Sequence, residues 1–151
     1  MKISRIRDSD IPAIIGMIDS EFPYKGMTEK EMKKRVRGGK VFVFKTMIGN
    51  KIAGFVDFEL QKKGNAMVHG ISVLSEYRRK AIGEKLMQHV IKFLKGRGIK
   101  EILLLVKVSN FPAKKLYKKV GFRFNRYFDR KIDNSIVEEM QMVLDGSAEN
   151  Q

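Results

Sequence analysis

The sequence has no cysteine and no tryptophan, and only three prolines and two histidines among its 151 residues. Without thiols there is no disulfide framework, no iron–sulfur cluster, no Cys-ligated zinc and no cysteine nucleophile. With two histidines in the whole chain, no metal site is expected. No apolar run approaches the roughly 18 residues that a membrane span needs, and no apolar signal segment follows the Met-Lys-Ile start. The expectation is a soluble cytoplasmic protein. Biased tracts and linkers are absent too, and a chain that is 43% hydrophobic and 32% charged is one that folds. Its length suits one domain, read here as residues 1–145, with a loose polar tail over 146–151.

Negative charge is scarce, with 17 acidic residues against 31 Lys and Arg and a net charge of +14. The surplus is local: residues 78–131 carry 17 of the cations and 3 of the acids. Such a surplus fits an anionic partner, whether nucleic acid, a membrane surface or a phosphate-bearing cofactor. A solvated Lys-rich surface is the plain alternative.

Hydrophobic periodicity and turn residues give the element order. Residues 2–7 read as a strand. Asp8 or Ser9 then caps a helix that has Pro12 in its first turn and ends near Glu21 or Phe22. Thr28 and Glu31 form a capping box opening a short basic helix that stops before Gly38 and Gly39. Val41–Met47 and Lys51–Leu60 form a hairpin around Gly49 and Asn50. A turn at Lys63–Asn65 precedes Met67–Leu74, a nearly continuous apolar run of the kind covered on both faces. Ile82, Leu86, Val90, Ile91 and Leu94 mark a long helix ended by Gly96 and Gly98. Ile102–Val108 is another buried strand, Asn110–Lys119 a helix ended by Gly121, and Phe122–Phe128 with Ile136–Leu144 an antiparallel pair. The order is β-α-α-β-β-β-α-β-α-β-β, a mixed α/β sheet in which Met67–Leu74 and Ile102–Val108 are parallel neighbours.

Two motifs carry chemistry. Arg78-Arg79-Lys80-Ala81-Ile82-Gly83 is a tight basic turn entering a helix, where backbone N–H groups meet the positive end of the helix dipole, an anion site. It is neither a Walker A loop nor a three-glycine dinucleotide fingerprint, and a plain basic helix start is an equal reading of it alone. Downstream, Asn110 follows a strand end, and Tyr117 lies two turns along the next helix on the face of Asn110, Ala113 and Lys114, where the small Ala113 admits close approach of a ligand.

Over nearly its whole length the chain resembles the GCN5-related N-acetyltransferase (GNAT) family. The family's phosphate-binding pattern is met at Arg78 and Gly83, with Ala81 in place of its first glycine. The later pattern of Asn, Ala, Leu-Tyr and Gly-Phe is met by Asn110, Ala113, Leu116, Tyr117, Gly121 and Phe122. The resemblance is nearest to the branch acetylating protein N-termini, including ribosomal-protein alanine. It implies a mixed, mostly antiparallel sheet of six to seven strands with a splayed central parallel pair and helices on both faces. It also implies acetyl-CoA as acyl donor: the pyrophosphate on the amides of Arg79, Lys80, Ala81, Ile82, Gly83 and Glu84, and the pantetheine arm along Ile71, Ser72 and Val73, in the gap between the parallel strands. Arg78, Asn110, Ala113, Lys114 and Tyr117 complete the implied cofactor site.

The implied reaction is direct attack of an amine on the thioester, with Tyr117 as the general acid for the leaving thiolate. The family's base on the second central strand falls on Leu105, so that role does not carry over. Its other position, on the first central strand, falls on Met67 or His69, and imidazole chemistry suits His69. Glu21 and Glu59 are rivals, and an amine arriving neutral needs no base. Phe22, Tyr24 and Tyr127 are candidates for the acceptor side. A protein or peptide N-terminal α-amine is the expected acceptor, with a small-molecule amine as the alternative; a polycation such as spermidine would need an acidic cleft such as Asp57 and Glu59. A nucleic-acid or ribosome-binding module on the same scaffold, using the basic 78–131 segment, is a competing reading. Monomer and homodimer both fit, since Ile136–Leu144 is able to pair within or between chains.

Overall fold

The computed structural model describes residues 2–78 and 80–144; Arg79 and the tail read at 146–151 lie outside them. Seven strands form one sheet in the order β1-β2-β3-β4-β5-β7-β6: β1 Lys2–Arg5, β2 Val41–Ile48, β3 Lys51–Leu60, β4 Asn65–Val73, β5 Glu101–Lys107, β6 Arg123–Tyr127 and β7 Val137–Val143. Every pairing is antiparallel except β4 with β5, the parallel pair expected from the strand-helix-strand pattern. Four helices cover the sheet: α1 Ile11–Glu21, α2 Glu29–Arg37, α3 Ile82–Gly96 and α4 Phe111–Val120.

Two apolar cores lie on opposite faces. On one face Ile82, Leu86, Val90 and Leu94 of α3 pack on Phe42, Phe44, Val56, Phe58 and Val68 of the sheet, with Tyr117 of α4 in the same core. The i, i+4 spacing of those four α3 residues puts them in a single stripe, and none is more than 3% exposed. Burial contributes about 1.5–3 kcal/mol for each such side chain. Close approach of α3 to the sheet requires Gly54: a Cβ there would stand 2.9 Å from the Ser72 carbonyl oxygen and 3.3 Å from both Ile82 and Leu86. On the other face Ile11, Ile14 and Ile18 of α1 and Met32 of α2 pack on Val43 and Phe55.

The N-terminal end of α1 is anchored by a buried ion pair. Lys45 of β2, 4% exposed, places its Nζ 2.6 Å from Asp10 Oδ2, and the Arg7 amide donates to the same oxygen at 2.7 Å. At α2 the Thr28–Glu31 capping box forms as the sequence indicates, with the Glu31 amide donating to Thr28 Oγ1 at 3.1 Å.

Two features depart from the linear reading. The strand β7, although last in the chain, is inserted between β5 and β6. Burial explains it: Val137, Met140 and Met142 of β7 are buried while every residue of β6 is exposed, so the more apolar strand takes the inner place. The second departure is in β4. Asp57 pairs with Gly70 and Phe58 with Val68, leaving His69 as an extra residue without an opposite, a β-bulge. The bulge re-sets the alternation. Ala66 and Val68 before it, and Ile71 and Val73 after it, all pack on the α3 core, while His69 and Gly70 both turn to the α1 and α2 face, where they line one pocket. Parallel pairing with β5 stops at this point, at Val68 opposite Leu104, although β4 runs on to Val73 and β5 to Lys107. The two central strands therefore part beyond the bulge.

Candidate active site

On the α3 and α4 face, the C-terminal half of β4 meets the start of α3. A Cβ on Gly83 would lie 3.2 Å from Leu116 Cδ2 and 3.9 Å from both Ile71 and Val73, so the missing side chain lets the first turn of α3 lie against β4 and α4. Ile82 is in the core, and Ser72 is paired with Phe55. Ala81 is the N-cap of α3 in the left-handed region, at φ 59°. An L-residue pays about 1–2 kcal/mol for that conformation, which is why glycine suits the position. The first amides of α3 have no intrahelical acceptor and point along the positive end of the helix dipole. Arg78 Nε donates to the Val73 carbonyl at 3.1 Å, and its other end is 3.4 Å from Glu21. Lys80 lies over the Tyr77 ring at 5.6 Å. Glu84 faces Lys119 at 3.2 Å.

Asn110 caps α4, its Oδ1 accepting from the Ala113 amide at 3.3 Å. Lys114 is held 3.4 Å from the buried Glu138. Both residues, read from the sequence as cofactor contacts, thus have structural partners of their own. Tyr117, two turns along α4, is 7% exposed and packs edge-on to Phe122. Burial pushes its phenol up to about 12, which keeps the proton on the oxygen.

On the opposite face, the bulge opens into a pocket of about 350 Å³ with Ile18, Phe22, Met27 and Phe55 on its apolar sides. His69 Nε2 stands 2.7 Å from Glu59 Oε1, so two residues weighed as rival bases form one pair. Glu21, the third, is engaged by Arg78 and is not among the pocket residues. Arg35 holds the buried Asp57 through two hydrogen bonds of 2.9 and 3.3 Å. Lys25 Nζ donates to the His69 carbonyl at 2.8 Å. A Cβ on Gly70 would face Lys25 Nζ at 3.4 Å and the Phe22 ring at 3.7 Å, ordinary contact distances, so the residue lines the pocket beside both.

Phe22 and Tyr24 meet edge to face at 6.3 Å. Tyr24 also carries Lys107 over its ring at 4.7 Å, and Lys107 pairs with Asp133 at 3.0 Å, which ties the α1–α2 connection to the end of β5. Burial raises the Tyr24 hydroxyl, Lys107 lowers it and Asp133 raises it, with a net rise. Tyr127 is not brought to this group. It is on the edge strand β6, in register with Glu138, whose carboxylate is turned to Lys114 on the α4 face, and it packs on Phe124. The extra residue at Asn125 in the β6–β7 pairing produces that change of side. The sequence reading missed Lys25, Arg35 and Gly70. Lys25 adjoins the aromatic pair singled out in the connection, but nothing in the order of residues joins Arg35 to Asp57, 22 positions away.

A family model described as "Acetyltransferase (GNAT) family" matches residues 9–122. The [ribosomal protein bS18]-alanine N-acetyltransferase of Escherichia coli (strain K12) is 30% identical over 122 residues, 80% of this chain and 79% of that protein. An N-alpha-acetyltransferase of Sulfurisphaera tokodaii is 46% identical over 65 residues, 42% of this chain but only 38% of that longer protein. Among solved structures, the ribosomal-protein-S18-alanine N-acetyltransferase of Escherichia coli superposes with a TM-score of 0.80 at 25% identity, over 95% of this chain and 93% of that one. Ard1 from Thermoplasma volcanium gives 0.82 at 19% identity over 94% and 96%, a likeness of fold.

Proposed function

The chain belongs to the GNAT acetyltransferase family, and from that premise we propose that it transfers an acetyl group from acetyl-CoA to the N-terminal α-amine of a protein or peptide. One observation carries the reading. The His69–Glu59 pair and the protonated Tyr117 stand on opposite faces of the sheet, and His69 directly follows Val68, the last β4 residue to pair with β5. A proton acceptor on one side of a gap and a proton donor on the other is what acyl transfer to an amine requires. The names of the bacterial and archaeal relatives, which act on a ribosomal-protein alanine and on α-amines, support the choice of acceptor.

The donor side fits a phosphate-bearing acyl carrier. The α3 amides following the left-handed Ala81 are an anion cradle, Arg78 and Lys80 add positive charge beside it, and Ile71 and Val73 line the apolar approach toward the gap. When bound, acetyl-CoA supplies the acetyl thioester. Glu59 accepts from or balances the His69 ring at Nε2 and fixes its orientation, and the pair takes the proton from the incoming ammonium. Phe22 and Phe55 exclude water from the amine. Tyr117 holds its proton against titration and delivers it to the departing sulfur.

The test is steady-state release of CoA with acetyl-CoA and a panel of short peptides, with spermidine and free amino acids alongside. Peptide-dependent turnover that Tyr117→Phe and His69→Gln each reduce is the expected result. Turnover confined to small amines contradicts the proposal.

A further inference from the structure

The pocket on the α1 and α2 face holds both signs of charge. Arg35 is committed to Asp57, and Glu59 to His69. Lys25 is differently placed. Its Nζ donates to the His69 carbonyl at 2.8 Å and sits 4.8 Å from the centre of the Phe22 ring, and among the described residues no carboxylate lies within 4.0 Å of it. An ammonium has three N–H donors. One is used here, and Lys25 lines the pocket. Although the residue is exposed, its ammonium is drawn against protein atoms: burial pushes it below the usual lysine range, Asp57 offsets part of that and Arg35 adds to it. A cation that has lost hydration without gaining a counter-ion binds a carboxylate more strongly than an open-surface lysine does.

We propose that Lys25 reads an acidic side chain beside the amine that is acetylated, so that the preferred acceptor is a peptide with Asp or Glu at one of its first two residues. The inference rests on the peptide reading above. Its geometric basis is that Lys25 and Glu59 meet the same residue from two sides, Lys25 at the His69 backbone oxygen and Glu59 at the His69 ring. A ligand whose ammonium approaches Glu59 and His69 therefore has Lys25 within reach of its adjoining side chain. An acidic residue there completes the charge pairing of the pocket. A Lys or Arg there meets Lys25 and Arg35 as like charges, and a neutral residue leaves Lys25 as it is.

The experiment compares kcat/KM for peptides identical except for Asp or Glu, Asn or Gln, and Lys at residue one or two, in the wild type, in Lys25→Gln and in Lys25→Glu. The wild type is expected to favour the acidic peptides over the neutral ones by about three- to tenfold, mainly through KM, with the gap narrowing as salt is raised. Lys25→Gln removes the difference, and Lys25→Glu inverts the order of the acidic and Lys peptides. Equal kcat/KM across the wild-type panel overturns the inference and leaves the peptide reading standing, as does an acidic preference that both variants retain. Turnover of free amino acids or spermidine with none on any peptide overturns the peptide reading itself. Circular dichroism of the variants controls for folding, and the wild-type panel is decisive without them.

Discussion

Tyr117 is an acid that does not run out of protons in the physiological range, because burial holds its phenol near 12. On the proposed role of its hydroxyl at the leaving group, Tyr117→Phe is expected to lower kcat about 100-fold while KM changes little, since the ring that packs on Phe122 is kept. Rates at varied pH should show no loss attributable to this residue below about 12; a downturn abolished by Tyr117→Phe at lower pH refutes the assignment. Asp10 behaves in the opposite sense. Burial pushes its carboxyl up, but the Arg7 amide and the Lys45 ammonium together outweigh that and hold it below its ordinary value. The pair thus contributes stability above the unfolded carboxyl's value of about 3.9 and loses it as the pH falls through the folded one. Asp10→Ala strands the buried Lys45 ammonium and should cost about 3–5 kcal/mol in chemical denaturation, most of it restored by adding Lys45→Met. Residues of this scale were unevenly legible. Tyr117 stood in a motif and His69 was one of several candidate bases implied by the resemblance, whereas Lys25 and Arg35 became pocket residues only when distant segments folded together.

At the scale of elements, capping and punctuation were the readable part. The Thr28–Glu31 box, the glycines at 38 and 39 and the paired strands around Gly49 fell where local chemistry put them, because each is decided within a few residues. The order of β7 and β6 was not decided locally: both are short strands joined by a turn, and only competition for the buried place beside β5 sorts them. The N-cap of α3 offers a test of an element boundary. Ala81 is strained at φ 59°, so Ala81→Gly should raise the stability of the protein by about 0.5–1 kcal/mol, read as a rise in the unfolding midpoint. A fall in that midpoint means that the left-handed cap is absent.

Over the whole molecule, the sheet separates two sets of groups, with the start of α3 and Tyr117 on one side and the His69–Glu59 pocket on the other. The resemblance implied a splayed parallel pair but not that division, because the bulge residue His69 stands in the sequence as one more member of an apolar strand. The bulge at His69 is an inserted letter that the fold absorbs without losing its place. Exchanging His69 for another residue alters a functional group and leaves the reading frame of β4 intact. Deleting it joins Val68 to Gly70, which already stand opposite Phe58 and Asp57, so regular alternation is restored and Ile71 and Val73 stay in the core; only removal of residues 69 and 70 together turns Ile71 and Val73 out. His69→Ala and removal of residue 69 should therefore both keep cooperative unfolding, whereas removal of residues 69 and 70 together should abolish it. If the double deletion folds as well as the substitution, β4 has no such frame to lose. The slot at 69 is free to change or to vanish; the parity of the residues that follow it is not.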